Sequence, residues 1–473
     1  MPIVKLALVH LGWLGSGWLI LEIIVRGRRR SARRLLEGYF TGIAVHVVAL
    51  YAWVAVAPLP MAAIRCLIAA GIAAGVVGLA LHLRAPVAAT GGGVDRPTTP
   101  RVSIVDLALA AQLAPPLALI ILSGWCVALH QWDPLAIWST KAGLLYHGEY
   151  LRSDAFADPD RVNAHHGYPI GYSLLLLEHT GAAGAPDELM MNRGLIVVVL
   201  AGLGLLGLLM AGWAGRRMAM AGLGLLVWTP ALWRPELGGA ASSGYADLPL
   251  GLCAALAAGL ILRGVAATDS GSLTAGSACL VLAASFKNEG SILVVLICAL
   301  GLATVAILPG RRPIREWLAL TFPLVALVLL RLAHAHLPTS SDVSFPSIAD
   351  IAALLALAPR LSTALYDNLL ANPVWGMLSL FLPVAVAVGL VRARRQPLTL
   401  LALIVPLYLG IICVVLGLTE IQLGAMEKYA RTMFPRLIIQ LLPSAVLFAV
   451  VLNSSVFTQL DVACSGESPP HSR

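Results

Sequence analysis

Long apolar runs separated by short polar segments occupy most of this chain. Thirteen such runs occur, at residues 6–25, 39–57, 60–83, 104–129, 188–214, 217–233, 244–262, 273–286, 290–308, 316–336, 374–391, 398–418 and 436–453. Most of them match the roughly 20 residues that a helix needs to cross a bilayer, although the run at 273–286 is short. Because backbone groups in lipid must be hydrogen-bonded within their own segment, these runs predict helices. The pattern therefore predicts an all-α polytopic membrane protein with about 13 transmembrane helices.

Two further apolar stretches lack the length or the composition of a membrane span. Ile170–Gly184 is too short, so we expect it to lie in the interface or to re-enter the protein. Ile348–Ala371 carries charges among Leu and Ala, which predicts a second interfacial helix. The chain then divides into N-terminal transmembrane helices with a cytoplasmic linker (1–103), a main transmembrane domain (104–452) and a disordered cytoplasmic tail (453–473).

The composition agrees with a membrane location. Of the 473 residues, 59% are hydrophobic and 12% are charged, and the mean hydropathy is +0.86, whereas soluble domains carry about 25% charged residues. Soluble cores stop growing at about 250–300 residues, so lipid must solvate this much apolar surface. The first run is long enough to span and ends in Arg26–Arg30, unlike a cleavable signal peptide. The net charge of +8 lies mostly in Arg clusters between runs, which indicates topology rather than nucleic-acid binding.

The positions of the arginine clusters predict the orientation of the chain. They lie between alternate runs, at Arg26–Arg34, Arg84/Arg96/Arg101, Arg216/Arg217, Arg263, Arg311/Arg312/Arg315 and Arg392/Arg394/Arg395. Because short cytoplasmic loops are enriched in Lys and Arg, we expect these loops to be cytoplasmic, with the N-terminus outside and the C-terminus inside. The outer loops are then Leu129–Asp187, Arg234–Ser243, Lys287–Gly290, Ala335–Pro373 and Thr419–Pro435.

The first outer loop begins with candidate chemistry at the mouth of the membrane. Asp133 follows the end of a run and precedes Pro134. Asp before Pro is typical of a helix N-cap, and a catalytic base could use the same geometry, so both interpretations stay open. Trp138 and Lys141 are three positions apart and share one helical face. They fit either a snorkelling lysine beside an interfacial tryptophan or a phosphate-binding cation.

The same loop contains His165-His166-Gly167-Tyr168-Pro169, which raises the question of a metal site. Adjacent histidines point in different directions and no third ligand stands at a useful spacing, so a structural turn is favoured. Asp158-Pro159-Asp160 has the character of a solvated loop. The seven cysteines have neither disulfide nor metal-ligand spacing. No metal or other cofactor is predicted, and a divalent metal is the disfavoured alternative.

Later outer loops supply further charged residues. Asp247 opens a run, where a carboxylate suits the helix dipole. Lys287 and Glu289 lie between two runs and fit a tight turn with an internal ion pair, or a site. The outer end of the last run carries three cations, Lys428, Arg431 and Arg436. Cations there run against the positive-inside bias and favour an anionic ligand such as a lipid phosphate. A site assembled from several outer loops would suit an enzyme that receives a lipid-borne substrate.

Taken in order, these motifs resemble the GT-C superfamily of integral-membrane glycosyltransferases, which includes protein O-mannosyltransferases. The likeness is closest to bacterial members related to the lipopolysaccharide-core galacturonosyltransferases. The resembling pieces within 104–452 are Trp132-Asp133 with Trp138 and Lys141-Ala142, His165 through Tyr168-Pro169, Gly244–Pro249, Lys287–Gly290, and Arg431 through Arg436 leading into Leu442-Pro443. Three helices precede the helix that leads into the first outer loop, where the superfamily usually has one.

The resemblance implies an inverting transfer of a hexosyl or uronosyl group from a polyprenyl-phosphate donor to a cell-envelope glycan, lipid or protein. Asp133 would be the catalytic base that deprotonates the acceptor hydroxyl. The departing phosphate would be neutralised by Lys287, Arg431 and Arg436, with Lys141 as a further candidate. The remaining candidates for substrate binding are Trp138, His165, His166, Tyr168, Asp247, Glu289 and Lys428. The active site would face the periplasm or the exterior of a bacterial inner membrane.

Two other functions fit an apolar chain with outer charges. A transporter or flippase of a lipid-linked saccharide should carry charges near mid-membrane on broken helices, often in two similar halves. Here the charges gather at the ends of the runs and the two halves are not alike, which favours the transferase. A surface-polysaccharide polymerase or ligase would use similar chemistry on a different fold.

Overall fold

The protein is built from helices. The computed structural model describes residues 2–25, 31–84, 103–158, 160–161, 165–233, 243–308, 313–337, 348–372, 375–376, 378–394 and 396–454. The α-helices are α1 (Pro2–Val25), α2 (Ala32–Val54), α3 (Met61–Arg84), α4 (Ile104–Cys126), α5 (Thr140–Tyr146), α6 (Asp154–Ala157), α7 (Gly171–Ala183), α8 (Glu188–Val227), α9 (Asp247–Ala266), α10 (Ser270–Phe286), α11 (Asn288–Ile307), α12 (Ile314–His334), α13 (Ile348–Ala356), α14 (Ala358–Leu365), α15 (Leu378–Arg392), α16 (Ile404–Leu423), α17 (Met426–Thr432) and α18 (Phe434–Leu452). Short π- or 3₁₀-helical segments lie at Pro134–Ser139, Pro230–Trp233, Tyr366–Leu370 and Pro397–Leu403. These described ranges contain no β-strand.

Ten helical segments among the described residues are long and apolar enough to cross a membrane. They are α1, α2, α3, α4, α8, α9, α11, α12, α18 and the segment Pro397–Leu423, which includes α16. Two shorter apolar helices are α10 and residues 381–392. The all-α polytopic class expected from the sequence is confirmed, whereas a total of about 13 crossings stays a prediction. The predicted tail beyond Ser454, and parts of several Arg clusters, lie outside the described residues.

α8 is divided by a break at Gly215. Its 40 residues would measure about 60 Å as one straight helix, roughly twice the hydrocarbon thickness of a bilayer. Gly215 has φ 81° and ψ 164°, a backbone conformation that essentially only glycine adopts. The break falls between the apolar runs 188–214 and 217–233, so the sequence pattern located the division of this helix.

α9 and α18 form the centre of the described bundle. Nearly all residues of both helices are buried, whereas α3 and α4 expose most of their surface. α9 and α18 approach closely at Gly251, where a Cβ would lie 2.6 Å from the backbone oxygen of Gln440. Because Asp247 is on the first turn of α9 and Arg436 is on the first turn of α18, this contact brings the two charged ends together.

The short apolar stretch at Ile170–Gly184 folds as α7, which is buried on all sides. Every residue from Gly171 to Gly181 is buried, among helices that include α1, α2, α5, α8 and α10. Of the two expected locations, interface or re-entry, the burial favours re-entry. The second predicted interfacial segment forms α13, α14 and the π-helical segment Tyr366–Leu370 instead of one helix.

Candidate functional site

Asp133 directs its carboxylate into the protein instead of capping a helix. It has helical backbone angles, precedes the π-helical segment Pro134–Ser139, and its side chain makes no capping hydrogen bond. The side chain is mostly buried and accepts a short hydrogen bond from Nη2 of Arg436. The N-cap interpretation of the Asp133 side chain is therefore wrong, and its role as a catalytic base stays a prediction.

Arg436 links two carboxylates from distant parts of the chain. It follows Pro435 in the sequence and lies in the first turn of α18. Besides its contact with Asp133, Arg436 Nε donates to Asp247 Oδ2 at 3.2 Å. The guanidinium carbon also lies 4.7 Å from the ring centroid of Tyr245, within the range of a cation–π contact.

Asp247 is the centre of the cluster. It is completely buried at the start of α9, and its Oδ1 lies 2.9 Å from Lys287 Nζ. Lys287 also lies 3.3 Å from Glu289 Oε1, so the internal ion pair that the sequence allowed is present as well. Burial of these charges requires such pairing, since an isolated ion would be strongly disfavoured away from water. We call Asp133, Asp247, Lys287, Glu289 and Arg436 the outer cluster.

Two uncharged residues that the sequence analysis missed form a chain of hydrogen bonds that ends at Asp247. Gln440 Nε2 donates to Asp247 Oδ1 at 2.6 Å, and Tyr408 donates its hydroxyl to Gln440 Oε1 at 2.6 Å. Gln440 and Tyr408 are fully buried. The sequence contained a signal for Gln440, because a glutamine inside an apolar run needs a hydrogen-bonding partner.

An aromatic layer packs beside the outer cluster. The ring of Tyr168 stacks on Trp138 at 5.7 Å and on His165 at 4.4 Å between centroids, and Lys287 Nζ lies 5.8 Å from the Tyr168 ring. Tyr172 packs edge-on against Trp138 and donates its hydroxyl to the backbone oxygen of Gly244. Burial raises the pKa of Tyr168 well above its usual value, and nearby carboxylates add to the effect.

Lys141 is engaged by the backbone of the loop that carries Tyr168. Its Nζ donates to the carbonyl oxygens of His165, His166 and Tyr168 at 2.8, 3.3 and 3.2 Å, and the side chain is fully buried. Burial lowers the pKa of Lys141 to about 7. In this structure Lys141 therefore holds the loop and does not present its charge to a ligand.

The remaining predicted residues lie outside the outer cluster. Lys428 and Arg431 are exposed on α17 and form no ion pair with any residue that the structure describes. His165 has a left-handed backbone with φ 52°, and His166 is half-buried. Within the described part of the chain, no three His, Cys, Asp or Glu side chains are grouped as metal ligands would be.

A second buried polar group was also missed by the sequence analysis. Glu178 of α7 accepts from Trp13 Nε1 at 2.7 Å, and its other oxygen lies 2.7 Å from His46 Nδ1. Both Glu178 and His46 are completely buried. Glu178 is the one acidic residue in the apolar stretch 170–184, and this isolated charge was the signal that the sequence contained.

The outer cluster has three carboxylates and two cations, so its cations are already paired. An anionic ligand would have to share Lys287 and Arg436 with Asp247 and Asp133. Such sharing would bring a carboxylate and a bound anion to one guanidinium. No family model, no curated protein and no solved structure matches the chain.

Proposed function

We propose that this protein transfers a sugar from a polyprenyl-phosphate donor to a cell-envelope acceptor, with inversion at the anomeric carbon. Asp133 is the general base, and Arg436 and Lys287 bind the donor phosphate. The observation that carries the proposal is the meeting of Asp133 and Asp247 on Arg436, from which they are separated by 303 and 189 positions in the sequence. A buried charged cluster of such distant residues at the ends of membrane helices supports a functional site.

The chemistry follows from the positions of these charges. Asp133 accepts the proton of the acceptor hydroxyl while the acceptor oxygen bonds to the anomeric carbon. The bond between that carbon and the phosphate oxygen breaks, and the polyprenyl phosphate leaves with one more negative charge. Arg436 contacts the carboxylates through Nε and Nη2, and because a guanidinium has five N–H donors, it can also bind phosphate oxygens.

An apolar cavity beside α18 is suited to a hydrocarbon ligand. It measures about 230 Å³ and lies among α15, α16 and α18. Ile438, Leu441 and Ala445 line it and follow Arg436 by two, five and nine positions, so they lie on the side of α18 opposite Arg436. A prenyl chain of a donor bound to Arg436 would therefore reach this cavity only by passing around α18.

The orientation expected from the Arg clusters supports an outward-facing site. With 13 crossings and an outer N-terminus, the starts of α9 and α18 and the junction of α10 with α11 belong to the outer face. These are the segments that carry Asp247, Arg436 and Lys287. The donor would then be used on the periplasmic side of a bacterial inner membrane.

The catalytic test is the Asp133→Asn variant, assayed for sugar transfer from a polyprenyl-phosphate donor in proteoliposomes. Loss of a general base should lower kcat by roughly 10² or more. Asp154→Asn is the matched control, because Asp154 is an exposed aspartate of the same outer loop, and it should leave kcat unchanged. Full activity of a correctly inserted Asp133→Asn protein would remove Asp133 as the base.

The phosphate-binding role is tested by comparing two arginines near the start of α18. Arg436→Gln should weaken donor binding at least tenfold, since a charge-assisted contact contributes about 1.5–3 kcal/mol. Arg431→Gln is the control, because Arg431 is exposed on α17. Equal effects of the two substitutions on donor affinity would contradict a specific role for Arg436.

A transporter of a lipid-linked saccharide is the second candidate, favoured by one observation. The buried Glu178–His46 pair is an ionisable group inside the bundle, which proton-coupled transporters commonly use. The two functions differ in their need for an acceptor. A transferase releases polyprenyl phosphate only when an acceptor is present, whereas a transporter moves the intact donor across a vesicle membrane without one.

A further inference from the structure

α7 connects the outer cluster to the N-terminal helices. Its first residue, Gly171, packs so closely on α10 that a Cβ there would overlap α10. The next residue, Tyr172, has its ring centroid 5.3 Å from Phe286 and 5.5 Å from Trp138. Because Phe286 immediately precedes Lys287, the first turn of α7 packs against the segment that carries this cation.

The other half of α7 is held by a polar clamp, which consists of Trp13 and Ser16 of α1, His46 of α2 and Glu178 of α7. Trp13 donates to one oxygen of Glu178 and His46 contacts the other, both at 2.7 Å. Ser16 Oγ lies 3.0 Å from His46 Nε2. Each of the two N-terminal helices therefore engages one carboxylate oxygen of α7.

α7 also has little room to shift sideways. The ring of His179 packs on Gly194 of α8 so closely that a Cβ at Gly194 would overlap it. Its centroid lies 5.3 Å from Trp13 and 5.5 Å from His10 on the side of α1. Close packing of this kind transmits displacements instead of absorbing them, so α7 acts as a rigid connection.

We propose that the polar clamp positions the outer cluster: α1 and α2 fix α7, and α7 fixes the segments that carry Tyr168 and Lys287. The close contacts at Gly171 and His179 restrict sideways movement of α7, and a carboxylate that takes one partner from each neighbouring helix specifies its rotation. Glu178 is thus a positioning residue, since its partners are Trp13 and His46. This inference rests on the proposed function for its kinetic test but not for its structural test.

The test replaces the three fully buried members of the clamp by apolar side chains in a triple variant, Trp13→Phe, His46→Leu and Glu178→Leu, and leaves the half-buried Ser16 in place. Exchanging all partners of a buried polar group for apolar ones is often neutral for stability, so the variant should retain its thermal midpoint. We expect hydrogen–deuterium exchange over residues 165–172 to become faster. We also expect kcat for sugar transfer to fall roughly tenfold, because small misplacements of binding groups slow the chemical step.

The matched control is Glu37→Gln, which changes another fully buried carboxylate of the bundle. Glu37 is nine positions from His46 on α2, about 13 Å along the helix axis, and it pairs with Arg34. This variant should leave kcat and the exchange at 165–172 unchanged. Glu178→Gln keeps hydrogen-bonding atoms toward Trp13 and His46 and should keep most of the activity.

A folded triple variant with unchanged exchange and unchanged kcat would overturn the inference. If the triple variant does not fold, Trp13→Phe alone decides, since it removes a single donor and should still accelerate exchange at 165–172. Unchanged exchange in that variant would also overturn the inference. If the wild-type protein transfers no sugar, the proposed function fails, while the exchange measurements still decide whether the clamp positions the loop.

Discussion

Lys141 illustrates at the residue scale how burial changes what a charged side chain can do. Its sequence position allowed either a snorkelling lysine or a phosphate-binding cation. In the structure its ammonium donates to three carbonyl oxygens of the loop at 165–168. With no access to solvent, it stabilises the loop that carries Tyr168 and so contributes to the site indirectly.

A pH dependence of stability follows from the pKa of Lys141, which burial lowers from 10.5 to about 7. Between these two values the unfolded chain binds more protons than the folded protein, so stability rises with pH in that window. The contribution is at most about 1.4 kcal/mol per pH unit. The thermal midpoint in detergent should therefore rise more between pH 7 and pH 9 for the wild type than for Lys141→Met. An equal rise in both proteins would contradict the lowered pKa.

The residues of the outer cluster could be nominated from the sequence, but their contacts could not. Asp133, Asp247 and Lys287 stood out because carboxylates and lysines are rare at the ends of apolar runs, and Arg436 stood out because an outer cation runs against the positive-inside bias. Arg431 stood out equally, yet five helical positions correspond to about 140° of rotation, so Arg431 and Arg436 would not share a face even on one helix. Met433, which lies between α17 and α18, has helical backbone angles, so this rotation applies across the junction.

At the scale of elements, one hydrogen-bonded chain joins three helices behind the outer cluster. Tyr408 of α16 donates to Gln440 of α18, and Gln440 donates to Asp247 of α9. Asp247 in turn fixes both cations. The chain thus couples the position of α16, which lines the apolar cavity, to the geometry of the charged residues.

Removing the Tyr408 hydroxyl should loosen this chain without removing a charge. Tyr408→Phe leaves the buried Oε1 of Gln440 without its donor, which should destabilise the protein by about 1–3 kcal/mol. We expect a several-fold decrease of donor affinity, measured by titration with a polyprenyl-phosphate sugar. Tyr366→Phe is the control, since Tyr366 is 59% exposed. If both variants bind the donor like the wild type, the hydrogen bonds from Tyr408 through Gln440 to Asp247 have no part in donor binding.

The sequence predicted the elements unevenly, for physical reasons. Helices that face lipid or span it, such as α4 and α12, follow directly from apolar length. The break at Gly215 was visible as a gap between two runs. α7 could not be assigned to interface or interior, because an apolar segment of 13 residues satisfies its backbone equally well in either place.

At the scale of the whole molecule, the described residues include a second buried charged cluster besides the outer cluster. The outer cluster lies at the starts of α9 and α18. The other joins Arg34 and Glu37 of α2 to Asp269 before α10, and its charged groups are paired as those of the outer cluster are. Hydropathy predicted the helices that carry both clusters, but pairing across 235 positions of sequence, as between Arg34 and Asp269, depends on tertiary packing.

The two clusters should lie on opposite sides of the membrane, and the orientation can be measured. The loop that contains Thr268 follows Arg263 and is expected in the cytoplasm. The first outer loop, which contains Arg161, is expected outside. Single cysteines at the exposed positions Thr268 and Arg161, in a background with all seven natural cysteines replaced by alanine, allow labelling in intact cells. A membrane-impermeant thiol reagent should label Arg161→Cys from outside and Thr268→Cys only after lysis. Labelling of Thr268→Cys in intact cells would show that the orientation is reversed and that the outer cluster lies on the cytoplasmic face. A donor presented on the periplasmic side could then not reach Arg436.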